Sequence, residues 1–456
     1  MSKLQPYTIY QPVQYDYVSQ LPAGWQLLPN IAIFRERIER GFDNEELLSV
    51  TIGKGVIRQS ENDIKKDSSN EDKSKYKLIK VGDIAYNRMR MWQGALGYSD
   101  YQGITSPAYV VLKPRMEINQ RFFHYMFRTG FYTNYSKRFS YGIVDDQLSL
   151  RYVDFKRMYS IVPPLETQNA IVAYLDRKTQ QIQEFIAKKE RLIELLEEKR
   201  LRKIFELVAG KQGFTNYKES TLEHIGHIPS HWNVKYLNLI CKVVLGKMLC
   251  NEDKGNYSYK KYLKSKNIGW ENVIIDEVDY MWFSKTEVET YRIQKDDLLV
   301  SEGGEVGKTC IWMDELDECY IQNSVHKLKF NQDCNPIYYQ YLFLVLGKGG
   351  YFKSIVNHVS IGHLTREKLV KVKCLVPPRN EQDIISEKIQ NLNMEVSDLT
   401  YKAQKEIEKA KEYHESLITQ VVTGQLKVPE KVNANLGQNI ELGMVAKANG
   451  IYHSKH

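Results

Sequence analysis

The sequence predicts an α+β fold: two pseudo-symmetric globular domains, each followed by a long helix, with the two helices packing as an antiparallel coiled-coil spacer. Three observations carry this. Val162-Pro163-Pro164-Leu165-Glu166-Thr167-Gln168 recurs 214 positions later as Val376-Pro377-Pro378-Arg379-Asn380-Glu381-Gln382. A period that long does not suit a solenoid and reads as domain duplication. Each copy is preceded by short strand-like runs, such as Ala108-Tyr109-Val110-Val111-Leu112 and Asp297-Leu298-Leu299-Val300, broken by Gly and Asn turns. Each copy is followed by an apolar stripe in alternating four- and three-residue steps.

The first domain is placed at 1–163 and the second at 211–377. Their openings correspond: Leu21-Pro22-Ala23-Gly24-Trp25 resembles Ile228-Pro229-Ser230-His231-Trp232. At the longer shift Gly82-Asp83-Ile84 faces Asp296-Asp297-Leu298, and Leu150 faces Leu364. Residues 59–75 are almost free of apolar side chains and read as a long loop.

The helix segments are placed at 164–210 and 378–424, with roughly 40 to 45 helical residues and hence ~60 to 65 Å each. Pro164 and Pro378 stand where proline is tolerated at a helix start, and Gly210 and Gly424 where glycine stops one. The second seam runs Ile385, Ile389, Leu392, Val396, Leu399, Ala403, Glu406, Ala410, Tyr413, Leu417, broken only at Glu406. The first runs Ile171, Leu175, Lys178, Ile182, Phe185, Lys189, Leu192, Leu196, Lys199, Lys203, a wetter stripe. Helices so long must bury their stripes, and each is the other's economical partner. Residues 425–456 are polar and read as a flexible tail.

Composition limits the function classes. The 456 residues are 42% hydrophobic and 26% charged, an ordinary soluble composition. No run approaches the ~18 apolar residues of a membrane span. Met1-Ser2-Lys3-Leu4-Gln5-Pro6 lacks the apolar core of a secretory signal. A cytoplasmic protein with no membrane partner is expected. Lys plus Arg (64) against Asp plus Glu (56) gives +8, compatible with a polyanion partner without proving one. Cys241, Cys250, Cys310, Cys319, Cys334 and Cys374 form no Cys-x-x-Cys pair, so reduced thiols are expected and a zinc site is not.

Three motifs tempt. Gly303-Gly304-Glu305-Val306-Gly307-Lys308-Thr309 resembles a phosphate loop, but Glu302 stands where the pattern needs glycine, and Cys310-Ile311-Trp312-Met313 reads as a strand. A hairpin is the better reading. Asn335-Pro336-Ile337-Tyr338 lacks the second proline of the amino-methyltransferase motif, and no glycine-rich strand-to-helix turn accompanies it. It reads as a loop leading into a helix over 337–346. His224, His227 and His231 straddle Gly226 and Pro229 and cannot share a helical face. No catalytic or metal residue is assigned.

The repeated parts resemble a known family. Gly82-Asp83-Ile84-Ala85-Tyr86-Asn87-Arg88-Met89, then Trp92-Gln93-Gly94-Ala95-Leu96-Gly97, then Gly103-Ile104-Thr105-Ser106-Pro107-Ala108-Tyr109 look like the target-recognition domain of type I restriction-modification specificity subunits, the HsdS family. So do the two Pro-Pro heads and Ile225-Gly226-His227-Ile228-Pro229-Ser230-His231-Trp232. The likeness covers roughly 15–427. The second half departs from it, with Ser301-Glu302-Gly303-Gly304 where the first has Tyr86-Asn87-Arg88.

The resemblance implies a non-catalytic, sequence-specific DNA-binding subunit. Each domain would read one half of a bipartite, asymmetric duplex site, while the helices set the gap. The implied partners are double-stranded DNA, two modification subunits that methylate adenine with S-adenosylmethionine, and restriction subunits that cleave with ATP and magnesium. No cofactor is implied for this chain. Base readers are Arg, Lys, Asn and Gln as a rule, and basic residues hold phosphates. On composition and position the candidates are Lys54, Arg58, Arg88, Arg90, Arg138 and Gln147 in the first domain. In the second they are Lys264, Lys266, Asn267, Lys308 and His358. The cluster Lys137-Arg138-Phe139-Ser140-Tyr141-Gly142 mixes basic and aromatic groups near a turn. Two other readings stand beside this one: a coiled-coil protein adaptor without DNA specificity, and a specificity subunit of a modification-only system.

Overall fold

Duplication in the sequence becomes duplication of topology in the computed structural model, which describes residues 4–15, 17–61, 73–144, 147–222, 224–356 and 362–429. The chain divides into two units, 1–188 with 405–456, and 189–404. Each unit therefore holds one globular domain and half of each long helix.

In the first unit the central sheet runs Phe34–Glu36, Tyr109–Pro114, Ile84–Asn87, Leu96–Tyr98, all antiparallel. In the second it runs Cys241–Leu245, Val325–Phe330, Leu298–Ser301, Thr309–Ile311, again antiparallel. The registers correspond: Tyr86 lies opposite Val110, and Val300 opposite His326. Two helices follow the sheet in each unit, Gln120–Arg128 and Gly130–Phe139 in one, Pro336–Lys348 and Tyr351–Ile355 in the other. Asn119 and Asn335 begin the first of each pair, their side chains accepting from the N–H groups of Arg121 and Ile337. Cores rich in large aromatics lie between helices and sheet, Phe34, Phe122, Phe123 and Phe155 in one unit, Trp232, Tyr338, Phe343 and Phe352 in the other. All six cysteines are buried as free thiols.

The repeated Pro-Pro…Gln segment is a clamp. Gln168 donates from Nε2 to the Pro163 carbonyl at 2.8 Å and accepts from the Asn119 N–H at 2.8 Å. Gln382 does the same with Pro377 and Asn335, both at 2.8 Å. Asn119 and Asn335 also reach the residue after each glutamine, Asn169 and Asp383. The start of the long helix is thus tied to the cap of the domain helix, and both glutamines are buried. A buried amide satisfied at both ends is costly to replace.

The long helices are Leu165–Val208 and Arg379–Val422, 44 residues each, within the expected length. Both end in Schellman caps. Gly210 and Gly424 adopt φ of +63° and +74°. Their N–H groups reach the Leu207 and Val421 carbonyls, and the next residues reach Glu206 and Gln420. The two Pro-x-x-Trp openings pack on these stops. A Cβ on Gly210 would lie 2.6 Å from Pro229, and one on Gly424 2.6 Å from Pro22, with Trp232 and Trp25 close behind. Each opening turn therefore seats against a helix end, the first domain's on the second long helix.

Pairing of the helices is antiparallel in each unit. Thr179 meets His414 at 2.9 Å in the first, and Arg200 donates to Asn393 at 2.8 Å in the second. The seams correct the heptad expectation. On the second helix the burial passes from Ala403 to Ile407 and Ala410, while Glu406 and Tyr413 are exposed. On the first it passes through Ile193, Leu196, Arg200 and Ile204, leaving Leu192 and Lys199 exposed. A straight helix drifts ~20° per heptad against a strict 3.5-residue repeat. Two successive four-residue steps, Leu392 to Val396 to Thr400 and Phe185 to Lys189 to Ile193, absorb that drift. The apparent break at Glu406 is this stutter.

Of the expected loop 59–75, Gln59–Glu61 forms a 3-10 turn and 62–72 lie outside the described residues. Of the expected tail, Lys427 donates its N–H to the Gln5 carbonyl at 2.8 Å and Val428 is buried, while 430–456 lie outside the described residues.

Candidate nucleic-acid interface

Gly82-Asp83-Ile84 prepares the first domain's central turn. Gly82 adopts φ of +91°, and the buried Asp83 carboxylate accepts from Lys80 N–H at 2.8 Å and from the Arg37 guanidinium at 2.7 and 3.1 Å. In the second domain Asp296 takes the left-handed position at +67°, and Asp297 accepts from Gln294 N–H at 2.8 Å. Burial pushes the Asp297 carboxyl above the ordinary aspartate range. These motifs are scaffold.

The turn beyond it presents charge. Asn87 accepts from Met89 N–H at 3.0 Å, and Gly94, at φ +85°, closes the 3-10 turn Met91–Gln93. The Arg88 carbonyl takes the Leu150 N–H at 2.9 Å, which draws in the segment after helix Gly130–Phe139. Lys137 sits over the Trp92 ring at 4.9 Å. Arg88, Arg90, Arg138 and Gln147, distant in sequence, are thereby gathered around one turn. Arg90, Arg138 and Gln147 are exposed. Arg88 is half-buried, with a buried Nε that has no partner among the described residues. Arg88, Arg90 and Arg138 enter none of the ion pairs between described residues.

Lys54 and Arg58 stand apart, on the hairpin Leu48–Thr51 and Gly55–Arg58. Lys54 is exposed at its tip. Arg58 lies 4.9 Å over Tyr101 and 3.4 Å from Glu46. Arg128 braces the tip, donating to the Ile52, Gly53 and Leu96 carbonyls at 2.8, 2.6 and 3.0 Å.

In the second domain the cations are paired. Lys308 meets Glu305 at 2.9 Å, Lys266 meets Glu277 at 2.8 Å, and Lys264 meets Asp279. Glu302 stands where the shift of 214 places Arg88, and burial raises its carboxyl. Asn267 requires a correction. It is only 2% exposed, and its amide accepts from Lys264 N–H and donates to the Ile274 and Glu277 carbonyls at 2.8 and 2.9 Å. It holds its loop and offers no open edge to a ligand. His358 lies outside the described residues.

The tempting motifs find structural roles. Residues 302–308 join antiparallel strands, as a hairpin. Asn335 caps a helix. His231 meets Glu381 at 2.8 Å, and His224 packs on Tyr351. The sequence alone points neither to the contact of Lys137 with Trp92 nor to the exposure of Ile143 and Val144. The departure at Ser301-Glu302-Gly303-Gly304 is the sequence signal that sets Glu302 opposite Arg88.

An exposed guanidinium pair beside an amide can hold phosphates and meet guanine or adenine edges. No group of His, Cys, Asp and Glu fit for a metal occurs among the described residues, nor does a helix long and apolar enough to cross a membrane.

Known proteins can now be set beside this geometry. A family profile described as "Type I restriction modification DNA specificity domain" matches residues 229–409. A Methanocaldococcus jannaschii protein assigned as the type I restriction enzyme MjaX specificity subunit is 23% identical over 445 residues, covering 90% of this chain and 96% of that protein. A chain from work on complex assembly and conformational transition of the type I R-M system aligns with TM-score 0.67 at 15% identity, covering 89% of this chain and 99% of its own. The HsdS subunit from Thermoanaerobacter tengcongensis aligns with TM-score 0.53 at 16% identity, covering 89% and 98%. The two structural likenesses establish the fold.

Proposed function

This chain belongs to the specificity-subunit family of type I restriction-modification systems, and from that premise we propose that its two domains each read one half of a bipartite, asymmetric duplex DNA site. One observation carries the reading. The same turn of the same four-stranded sheet recurs in both domains with different side chains, Arg88 in one and Glu302 in the other. An identical scaffold with divergent faces suits two readers of two different half-sites. Arginine suits guanine, and a glutamate can accept from cytosine N4.

The helix pair then sets the gap between half-sites and carries the modification subunits. Those partners methylate adenine with S-adenosylmethionine, and flipping the base falls to them. Restriction subunits supply ATP- and magnesium-dependent cleavage. The chain itself performs no chemistry.

Selection from a random duplex library, with the chain assembled on its modification subunits, tests this. The expected product is a split motif of two specified halves around an unspecified gap. Enrichment of no motif, with binding insensitive to salt, would return the chain to the adaptor reading.

A further inference from the structure

Residues 141–144 form an apolar projection on the first domain. Ile143 is 94% exposed, Tyr141 79% and Val144 54%. Soluble proteins scatter single apolar groups on their surfaces, but three on one protruding segment mark a contact surface. Described residues on either side of the segment are bonded to each other. Tyr141 and Ser149 exchange backbone hydrogen bonds at 3.1 and 3.0 Å, and the Gln147 N–H reaches the Val144 carbonyl at 2.9 Å. Gly142 lies so close to the Gln147 backbone that a Cβ would stand 2.7 Å from it. Asp145 and Asp146 lie outside the described residues.

Its surroundings choose the occupant. Leu150, one residue past Ser149, is bonded to the Arg88 carbonyl, and Arg138 lies two residues before Ser140 on the adjoining helix end. The projection thus adjoins the turn that carries Arg88 and the helix end that carries the exposed Arg138. Cations that hold phosphates, flanking an apolar tip, fit a DNA groove: the cations fix the backbone while apolar side chains wedge between base steps and unstack them.

We propose that Ile143, flanked by Tyr141 and Val144, is a wedge that unstacks one base step of the half-site read by the first domain. The inference rests on the proposed function and adds a way of reading: deformability of a step the arginines do not contact.

The test uses the full chain with its modification subunits and the duplex they methylate. 2-Aminopurine is placed in turn at each first-half position other than the methylated adenine. The expected result is brightening at one step, lost in Ile143→Ser, with binding about tenfold weaker and assembly unchanged. Ile143→Leu should restore the signal, which a merely disrupted loop would not. Site-specific binding with no brightened step would overturn the wedge and leave the proposed function standing. Absence of any site-specific binding would overturn both. If Ile143→Ser blocked assembly yet left the brightening intact, the projection would be a protein-docking surface and the wedge wrong.

Discussion

Residues 88–95 of the first domain and 302–308 of the second occupy the same turn between the same two strands, yet they carry different electrostatics. Arg88 and Arg90 of the first have no carboxylate partner among the described residues. In the second, Glu302 replaces the arginine, and Lys308 is tied to Glu305 at 2.9 Å. Beneath the turns the same difference recurs. Asp83 is held by Arg37, whereas buried Asp297 has only its own loop and nearby lysines. What repeats in this chain is scaffold: glutamine clamps, asparagine caps, glycine stops. What diverges is the face each domain presents.

The largest effect that would sharpen this comparison is on the carboxylate support. Arg37→Ala strips a buried carboxylate of its partner, and about 3–5 kcal/mol should be lost from the first domain. Hydrogen exchange should accelerate in Ile84–Asn87 and not in Leu298–Ser301. Equal acceleration in both strands would show that the domains do not unfold independently.

A symmetric effect comes next. Gly424→Ala and Gly210→Ala each force a Cβ into a left-handed position and against a proline, and should cost about 2 kcal/mol each. Thermal unfolding should show similar shifts for both. A cost at one glycine alone would break the equivalence of the two helix ends.

Third is a pH effect. His124 Nδ1 accepts the Tyr98 N–H at 3.1 Å where Gln340 accepts the Ile311 N–H at 3.1 Å in the second domain. Burial, aided by Arg128 and Arg121, lowers the His124 pKa to about 3. A pKa depressed on folding contributes stability that is full above the unfolded value and is lost as pH falls. The loss is at most ~1.4 kcal/mol per pH unit below about 6.5. His124→Gln should copy the second domain and flatten that part of the profile between pH 7 and 4, read by denaturant titration at each pH.

Smallest is the salt dependence of DNA binding. Arg90→Ala and Arg138→Ala should each lower the slope of log K against log salt by about 1. Lys266→Ala and Lys308→Ala should change it less, because each cation already has a carboxylate partner. Equal changes in both domains would contradict the assigned asymmetry.

Much of this fold is legible in the sequence because its repeated residues do repeated work. The clamp needs its glutamine and the caps their glycines, so these survive as landmarks. The long helices are visible through their apolar period, but not their stutters: stepping by heptads hides a drift that only accumulates over 44 residues. The interface is partly legible. Arg88, Arg90, Arg138 and Gln147 are nominated by type, but the Leu150-to-Arg88 bond that gathers them joins residues 62 apart in the chain. Asn267 misleads because only tertiary contact with the Ile274 and Glu277 carbonyls makes a reader-type residue structural.

The most direct test of two independent readers on one scaffold is to exchange residues 1–163 for the matching domain of another family member and to sequence the adenine methylome. Methylation at a split motif with one half changed and the other half and gap retained is the expected result. A motif altered in both halves would contradict it.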